Sequence, residues 1–260
     1  MIKAAGVTVT IEKLCSQMEG FGLKHSSKAL ADAFADALEA LEKGVMTPRQ
    51  FLASLMETEF KGRNEKRRQR NYAGAHFPPN VKDLEEFDPA ELDSGISAGQ
   101  IQVLSELGWL ESFSNLIFAG PPGLGKTMLA TSLGVRAVDE GYLVCFEKME
   151  SLAGILDRAD IDRAAGFRLK NIKKANLFIC DEVGYTPISR NQANKFFTLV
   201  SDMYERASLI ITTNKTIPEW VEVMGDPVLT TAILDRILHH SRCFSFEGQS
   251  YRLKHPDVFA

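Results

Sequence analysis

The chain has 260 residues, of which 45% are apolar, so it can form one large domain or a medium domain and a small one. Its 30 basic and 34 acidic residues give a net charge of −4, which excludes a uniformly basic nucleic-acid-binding surface but allows local basic patches. No apolar run approaches the roughly 20 residues of a membrane-spanning helix, and the N-terminus lacks the pattern of a secretory signal. We therefore expect a cytoplasmic protein.

Helical patterns dominate the first 75 residues, which we predict to form a small all-α N-terminal domain. A weak pattern covers residues 11–18, and a stronger one covers residues 27–43 and ends at Gly44. Thr47-Pro48-Arg49-Gln50 is a capping box with proline at the first helical position, and apolar side chains at helical spacing follow it. A third helix therefore begins there.

A strongly basic run, residues 61–70, continues this third helix. It contains six bases and one acid in a chain that is acidic as a whole. A solvated helix end and a contact with nucleic-acid phosphates are both compatible with such a run. If the run binds DNA, the predicted contacts are Lys66, Arg67, Arg68 and Arg70.

The second domain is predicted to span residues 76–260 and to be of the α/β class. Residues 76–80 break the helical pattern, and a capping box at Ser97 begins a helix at about 98–110. Strands are then expected at 115–119, 142–147, 176–181, 207–212 and 242–246, and helices at 126–140, 149–158, 162–174, 189–205 and 228–240. Short apolar runs between amphipathic helices indicate a parallel sheet covered on both faces.

The four cysteines are predicted to be reduced, buried thiols. Cys15, Cys145, Cys180 and Cys243 are far apart, form no CxxC pair, and in three cases lie in apolar runs typical of strands. This spacing argues against a zinc site.

A phosphate-binding motif follows the first predicted strand. Residues 120–127 fit GxxxxGK[ST] in full and lie between a strand and a helix, the structural context that this motif requires. Its glycines let the backbone bend around phosphates, Lys126 reaches the β- and γ-phosphates of ATP, and the Thr127 hydroxyl is a ligand for Mg²⁺. The predicted nucleotide contacts are Gly120, Pro121, Pro122, Gly123, Leu124, Gly125, Lys126, Thr127 and Met128.

An acid pair, Asp181 and Glu182, ends the strand predicted at 176–181. The carboxyl ends of parallel strands form one edge of the sheet, beside the phosphate loop. Asp181 is the candidate for holding Mg²⁺, mostly through water, and Glu182 is the candidate base that polarises the attacking water. For Glu182, a helix cap or a surface acid is the alternative.

Two other residues are candidates for the reaction. Asn214 follows the strand at 207–212 and would face the γ-phosphate if that strand neighbours the one at 176–181, although it could instead be a simple turn residue. Arg236 lies on a predicted helix and could act as an arginine finger on a neighbouring subunit. The alternative for Arg236 is an ion pair with Asp235 or another acid.

The adjacent residues His239 and His240 should point in different directions on a helix. We therefore do not expect them to share a metal ion, and we interpret them as helix-end residues that interact with the helix dipole.

Together these motifs resemble the IstB family of AAA+ helper ATPases, which serve bacterial insertion-sequence transposons and are related to the helicase loader DnaC and the initiator DnaA. The resemblance covers about residues 77–254, and the first 70 residues match only loosely. Besides the phosphate loop and Asp181–Pro187, the runs at Ala232–Ser241 and Gly248–Arg252 look more like IstB than like DnaC.

This resemblance implies a P-loop AAA+ core whose C-terminal lid is short or absent. It implies a slow ATPase, stimulated by DNA or a partner, in which Arg236 is the arginine finger and Arg252 is a second nucleotide-contacting arginine. It also implies an ATP-dependent homo-oligomeric spiral or ring. IstB-like proteins bind duplex DNA without sequence preference and deliver it to an IstA-like transposase.

The helices at 149–174 look like the extra insertion of the initiator and loader group, and they carry a second set of bases. Their candidate DNA contacts are Arg158, Arg163, Arg168, Lys170, Lys173 and Lys174. A DnaC-like helicase loader, which would act with single-stranded DNA, is the main alternative. A small-molecule P-loop kinase is disfavoured by Asp181-Glu182 together with the 207–214 strand, which ends in Thr-Asn.

Overall fold

The computed structural model describes residues 2–4, 7–9, 27–86, 96–248 and 250. The chain divides into two compact units, Met1–Arg70 and Asn71–Ala260. The helix predicted at 11–18 and the predicted nucleotide contact Arg252 lie outside the described residues. The domain boundary near residue 76 stays a prediction.

Among its described residues, the first unit contains two helices and a short ribbon. Strands β1 (Ile2–Ala4) and β2 (Val7–Val9) pair in an antiparallel manner, which adds strand structure to the helices predicted here. Helix α1 spans Ser27–Glu42, and α2 spans Pro48–Ala75 and so runs into the second unit. The predicted capping box at the start of α2 is formed, because Thr47 and Gln50 bond reciprocally through side chain and backbone N–H.

The second unit is organised around a parallel sheet of five strands. These are β3 (Asn115–Ala119), β4 (Val144–Lys148), β5 (Leu177–Val183), β6 (Ser208–Thr213) and β7 (Ser241–Ser245). Their spatial order is β4-β5-β6-β3-β7, and every neighbouring pair is parallel. The carboxyl ends of β3, β5 and β6 therefore lie side by side at one edge of the sheet.

Helices cover both faces of this sheet, which confirms the predicted P-loop core. They are α3 (Ala98–Ser105), α4 (Gly108–Glu111), α5 (Lys126–Asp139), α6 (Met149–Arg158), α7 (Arg163–Lys174), α8 (Arg190–Met203), α9 (Trp220–Met224) and α10 (Pro227–His239). Successive residues of β5 enter different cores: Phe178 packs in one cluster and Ile179 in the other. This alternation explains why β5 is a continuous apolar run.

Two predicted features differ from the structure. The helix expected at 98–110 is broken at Leu107, whose φ of 61° ends one helical segment before α4 begins. The break is stabilised where the Trp109 indole N–H donates to Leu104 O at 2.9 Å, so that the buried ring has a partner. Cys145 and Cys180 are buried as predicted, but Cys243 on the edge strand β7 is exposed.

The described helices give no candidate for a membrane span, because none of them combines sufficient length with sufficient apolar character.

Candidate active site

The loop between β3 and α5 lies at the carboxyl edge of the sheet. Gly120 N–H donates to Thr213 O at 3.1 Å, which holds the loop against the end of β6. Gly120 and Gly123 have φ values of 146° and 82°. A Cβ atom on Gly120 would lie 2.1 Å from Phe246 O, and one on Gly123 would lie 2.1 Å from the Ser250 hydroxyl oxygen. Only glycine fits these two positions.

Ser250 is a neighbour of the phosphate loop that none of the sequence motifs indicates. The chain reaches it after β7, where Phe246 N–H donates to Ala119 O at 2.7 Å. Ser250 belongs to the Gly248–Arg252 run, which resembles IstB, but the spacing of this run does not indicate a contact with Gly123.

The Lys126 side chain is largely buried and folds back over the phosphate loop. Its Nζ donates to Gly120 O at 2.7 Å and to Pro121 O at 2.6 Å. The ammonium group is thus held inside the loop, where the N-terminus of α5 adds partial positive charge. This cluster of positive charge is suited to a polyanion.

Asp181 joins the phosphate loop to the sheet. Its Oδ1 accepts hydrogen bonds from the Thr127 hydroxyl at 2.7 Å and from the Thr212 hydroxyl at 2.6 Å. Burial raises the pKa of the Asp181 carboxyl, while the hydrogen bonds from Thr212 and Thr127 act in the opposite direction. No sequence motif predicts this role of Thr212, because a threonine on a buried strand carries no distinctive pattern.

Glu182 occupies a bulge in β5. The register of β5 and β6 shifts between Cys180 and Val183, and Glu182 has a φ of 59°, which is unusual for a residue with a side chain. Its N–H donates to the Thr212 hydroxyl at 2.9 Å. The bulge interrupts the alternation of side chains between the two faces of the sheet and so redirects the Glu182 side chain, as bulges near active sites often do.

The Glu182 carboxylate pairs with a lysine at the end of the neighbouring strand. Lys148 Nζ lies 3.0 Å from Glu182 Oε2, and both side chains are about half exposed. Because Lys148 is the last residue of β4 and α6 follows at once, this ion pair connects the predicted base with the start of the helical insertion.

Asn214 directly follows β6, and β6 neighbours β5, as its predicted role requires. Its side chain is exposed. Arg236 lies on α10, where its guanidinium covers the Phe197 ring at 4.5 Å and donates to Ala232 O at 3.1 Å. These contacts hold the guanidinium by an aromatic ring and a carbonyl group, not by Asp235.

Most of the predicted DNA-binding bases are accessible. In the first unit, Lys66, Arg67, Arg68 and Arg70 are exposed on α2. In the second unit, the exposed bases of the insertion are Arg158, Arg163, Lys170 and Lys174. Lys173 is half-buried and pairs with Asp202 at 2.8 Å.

Arg168 requires a correction, because it is buried and cannot contact DNA from this position. Its Nε lies 2.6 Å from Glu147 Oε1 and its terminal nitrogens donate to Gly74 O at 2.8 Å and Ala75 O at 3.1 Å. A further bond to Phe146 O measures 2.9 Å. Arg168 thereby fastens α7 to β4 and to the last turn of α2.

Removing the Arg168 charge is expected to destabilise the fold. Arg168→Met leaves the Glu147 carboxylate buried without its cation, so the free energy of unfolding should fall by about 3–5 kcal/mol. Chemical denaturation measures this quantity. The matched control is Lys170→Met, an exposed base on the same helix, which should change stability by about 0.5 kcal/mol or less. Equal losses in the two variants would contradict the assignment.

The histidine pair also differs from the expectation. His239 ends α10 and His240 is its C-cap with non-helical backbone angles, so the two rings lie 4.1 Å apart instead of pointing away from each other. With Glu205 they form an exposed group whose ligand atoms lie within 4.8 Å of one another. The prediction that the two adjacent histidines point in different directions is therefore wrong.

The strand order, the glycine loop and the acid pair at one sheet edge define a P-loop fold of the AAA+ type. Solved structures support this fold class. The DnaC helicase loader superposes with a TM-score of 0.51 at 17% identity, over 65% of this chain and 98% of that one. AMPPCP-bound DnaA from Aquifex aeolicus gives a TM-score of 0.52 at 20% identity, over 71% of this chain and 56% of that one.

The chain belongs to the family described as IstB-like ATP binding protein, whose profile matches residues 22–257. It is 41% identical to the insertion sequence IS21 putative ATP-binding protein of Pseudomonas aeruginosa over 217 residues, which are 84% of this chain and 81% of that protein. It is 44% identical to the IS232 putative ATP-binding protein of Bacillus thuringiensis subsp. berliner over 176 residues, 68% of this chain and 70% of that protein. The predicted family is confirmed.

Proposed function

We propose that this protein is an ATP-dependent, sequence-nonspecific duplex-DNA-binding ATPase that oligomerises on DNA and delivers target DNA to a transposase. The observation that carries this proposal is the direct contact of Thr127 with Asp181 at 2.7 Å, which brings the phosphate loop and the acid pair into one site. The insertion-sequence relatives support the transposition context.

ATP would bind with its phosphates against the loop at 120–127. Lys126 would exchange its bonds to Gly120 O and Pro121 O for bonds to the β- and γ-phosphates. The backbone N–H groups of the loop and the N-terminus of α5 would bind the remaining phosphate oxygens. Arg252 stays a predicted contact.

The oxygen donors of Thr127 and Asp181 fit Mg²⁺, a hard cation that prefers carboxylate, hydroxyl and water oxygens. Asp181 lies beside the Thr127 hydroxyl with most of its surface buried, so a cation there would offset the cost that burial imposes on the ionised carboxylate. When bound, Mg²⁺ would neutralise charge on the phosphates.

Hydrolysis would then depend on Glu182 and Asn214. Glu182, held by its bulge at the carboxyl edge, would accept a proton from the attacking water. Asn214, at the end of the neighbouring strand β6, would orient that water. In the described arrangement Lys148 pairs with Glu182, so the base would have to exchange this partner for water before each turnover.

Arg236 would act on the nucleotide of a neighbouring subunit. The Phe197 ring holds its guanidinium without neutralising it, so the cation remains able to bind a phosphate. ATP that is bound at Lys126 of one subunit and contacted by Arg236 of the next would stabilise an oligomer. Hydrolysis would remove the γ-phosphate and loosen this contact.

Oligomerisation would convert weak DNA contacts into a strong one. The exposed Lys and Arg residues of α2 and of the insertion can contact DNA phosphates without recognising the nucleobases. Repeated along a spiral, they would add as multivalent contacts do. Nonspecific duplex binding in an acidic protein is explained in this way, because the basic surfaces are local.

An electrophoretic mobility assay tests this function. Duplex binding is expected with ATP and not with ADP, and log Kd should depend linearly on log salt with a slope of about 0.9 for each phosphate contacted. The variant Lys170→Ala should reduce that slope, because it removes one exposed base. Equal binding in ADP and ATP would overturn the proposal, and a preference for single strands would favour the helicase-loader alternative.

A further inference from the structure

Helix α7 has two faces of different character. Ala165, Arg168 and Ile172 are buried on one of them. The other face carries Arg163, Phe167, Lys170 and Lys174, which follow one another at spacings of four, three and four residues and so lie in one stripe. All four are exposed, and Phe167 is 65% exposed. A large apolar ring thus lies in the middle of a basic stripe.

The position of this ring is informative. A single exposed apolar side chain is common and needs no explanation by itself. Here, however, bases lie at i−4, i+3 and i+7 from Phe167 on the same helix face. A ligand that complements this stripe carries negative charges for the bases on both sides of an apolar part that contacts the ring. Duplex DNA meets both conditions, since its phosphates border a minor groove whose base steps admit apolar wedge side chains.

The stripe is also held rigidly. Arg168, the residue after Phe167, is anchored by bonds to Glu147, Gly74 O and Phe146 O on the opposite face of α7. The helix begins with Asp162, whose carboxylate accepts from Ala164 N–H at 2.8 Å and so caps the N-terminus. A fixed backbone lets a side chain insert without first being ordered, which lowers the entropic cost of binding.

We propose that Phe167 is a wedge that enters the minor groove of duplex DNA and partly unstacks a base step. The proposal rests on the proposed duplex binding and specifies how it occurs. Arg163 and Lys170 are seven residues apart, or about 10 Å along the helix axis, on either side of the ring. With the helix axis lying across the minor groove, which is about 6 Å wide, these two side chains reach the flanking phosphate strands while the ring enters between them.

Two consequences follow from the wedge. Each insertion bends the duplex away from the protein side by roughly 20–90°, as apolar wedges do. The protein also favours flexible pyrimidine–purine steps, because they cost less to unstack, although Phe167 reads no base edge. Binding therefore remains nonspecific for sequence, with a preference based on deformability.

The test uses duplexes that carry a fluorescent adenine analogue at a TA step, whose emission increases on unstacking, with the full-length protein and ATP. Wild-type protein should increase the emission. Phe167→Ala should abolish the increase and weaken binding about fivefold to tenfold, whereas Phe167→Leu should retain part of it, since leucine also acts as a wedge. The control Phe113→Ala removes another exposed ring and should match wild type.

A second variant separates the wedge from the charge. Lys170→Ala should weaken binding and lower the salt dependence, yet give the full emission increase at saturating protein. If wild type binds duplex with ATP while the analogue stays quenched, or if Phe167→Ala unstacks it normally, the wedge is refuted and the proposed function stands. Absence of ATP-dependent duplex binding by the wild type would refute both.

Discussion

Lys126→Ala is expected to abolish nucleotide-dependent behaviour as a whole. The ammonium group is the cation that the loop holds closest to its backbone, with bonds to Gly120 O and Pro121 O. Its loss removes two charge-assisted hydrogen bonds to phosphates, each contributing about 1.5–3 kcal/mol, so ATP affinity should fall by about 10²-fold or more. Calorimetric titration with ATP measures this change directly.

The same variant should lose DNA association, because ATP is proposed to hold the subunits together. Thermal unfolding of the nucleotide-free protein provides the control, since the variant must be folded for the comparison to count. Lys170→Ala is the matched lysine variant, and its ATP affinity should equal that of wild type. Unchanged ATP affinity and DNA association in Lys126→Ala would refute the proposed role of the loop.

The sequence predicted most of the second unit because its signals are local. The phosphate loop is a contiguous motif between a strand and a helix, and the structure has β3 at Asn115–Ala119 as predicted. Strands such as β5 are apolar runs bounded by polar residues, so their positions were predicted to within one or two residues. The acid pair followed from the end of β5 alone.

Features that depend on tertiary contacts could not be predicted in this way. Arg168 looks like any other base in a basic segment, and only the packing of α7 against β4 makes it a buried anchor. The β5 bulge depends on the shift of pairing with β6, which leaves no pattern in one strand. The approach of His239 and His240 depends on the residue at which α10 ends.

These missed features have consequences for the site. A regular strand would direct Asp181 and Glu182 to opposite faces of the sheet. The bulge instead allows one buried carboxylate to bond to Thr127 while the next carboxylate reaches Lys148 at the end of β4. A buried carboxylate and a half-exposed one thus follow each other in the chain, which suits a cation ligand followed by a base.

Glu182→Gln is accordingly expected to separate ATP binding from turnover. The amide keeps the size of the side chain but cannot accept a proton from water, so kcat for ATP hydrolysis should fall by about 10²- to 10⁴-fold. ATP affinity should stay within about twofold, because the phosphates are bound by the loop and not by Glu182. Duplex binding in ATP should persist for longer, since the subunit contact is no longer lost through hydrolysis. Steady-state phosphate release and nucleotide titration measure the two quantities.

The matched control is Glu140→Gln, at the C-cap of α5. Glu140 pairs with Arg136 at 3.1 Å, with side-chain exposures of 52% and 49%, much like the Glu182 and Lys148 pair at 49% and 53%. Both substitutions remove a half-exposed ion pair, which contributes at most about 1 kcal/mol to stability. Any difference in kcat between the two variants therefore results from where the substituted carboxylate lies and not from the loss of an ion pair. If Glu182→Gln hydrolyses ATP as fast as Glu140→Gln, Glu182 is a surface acid and the base lies elsewhere.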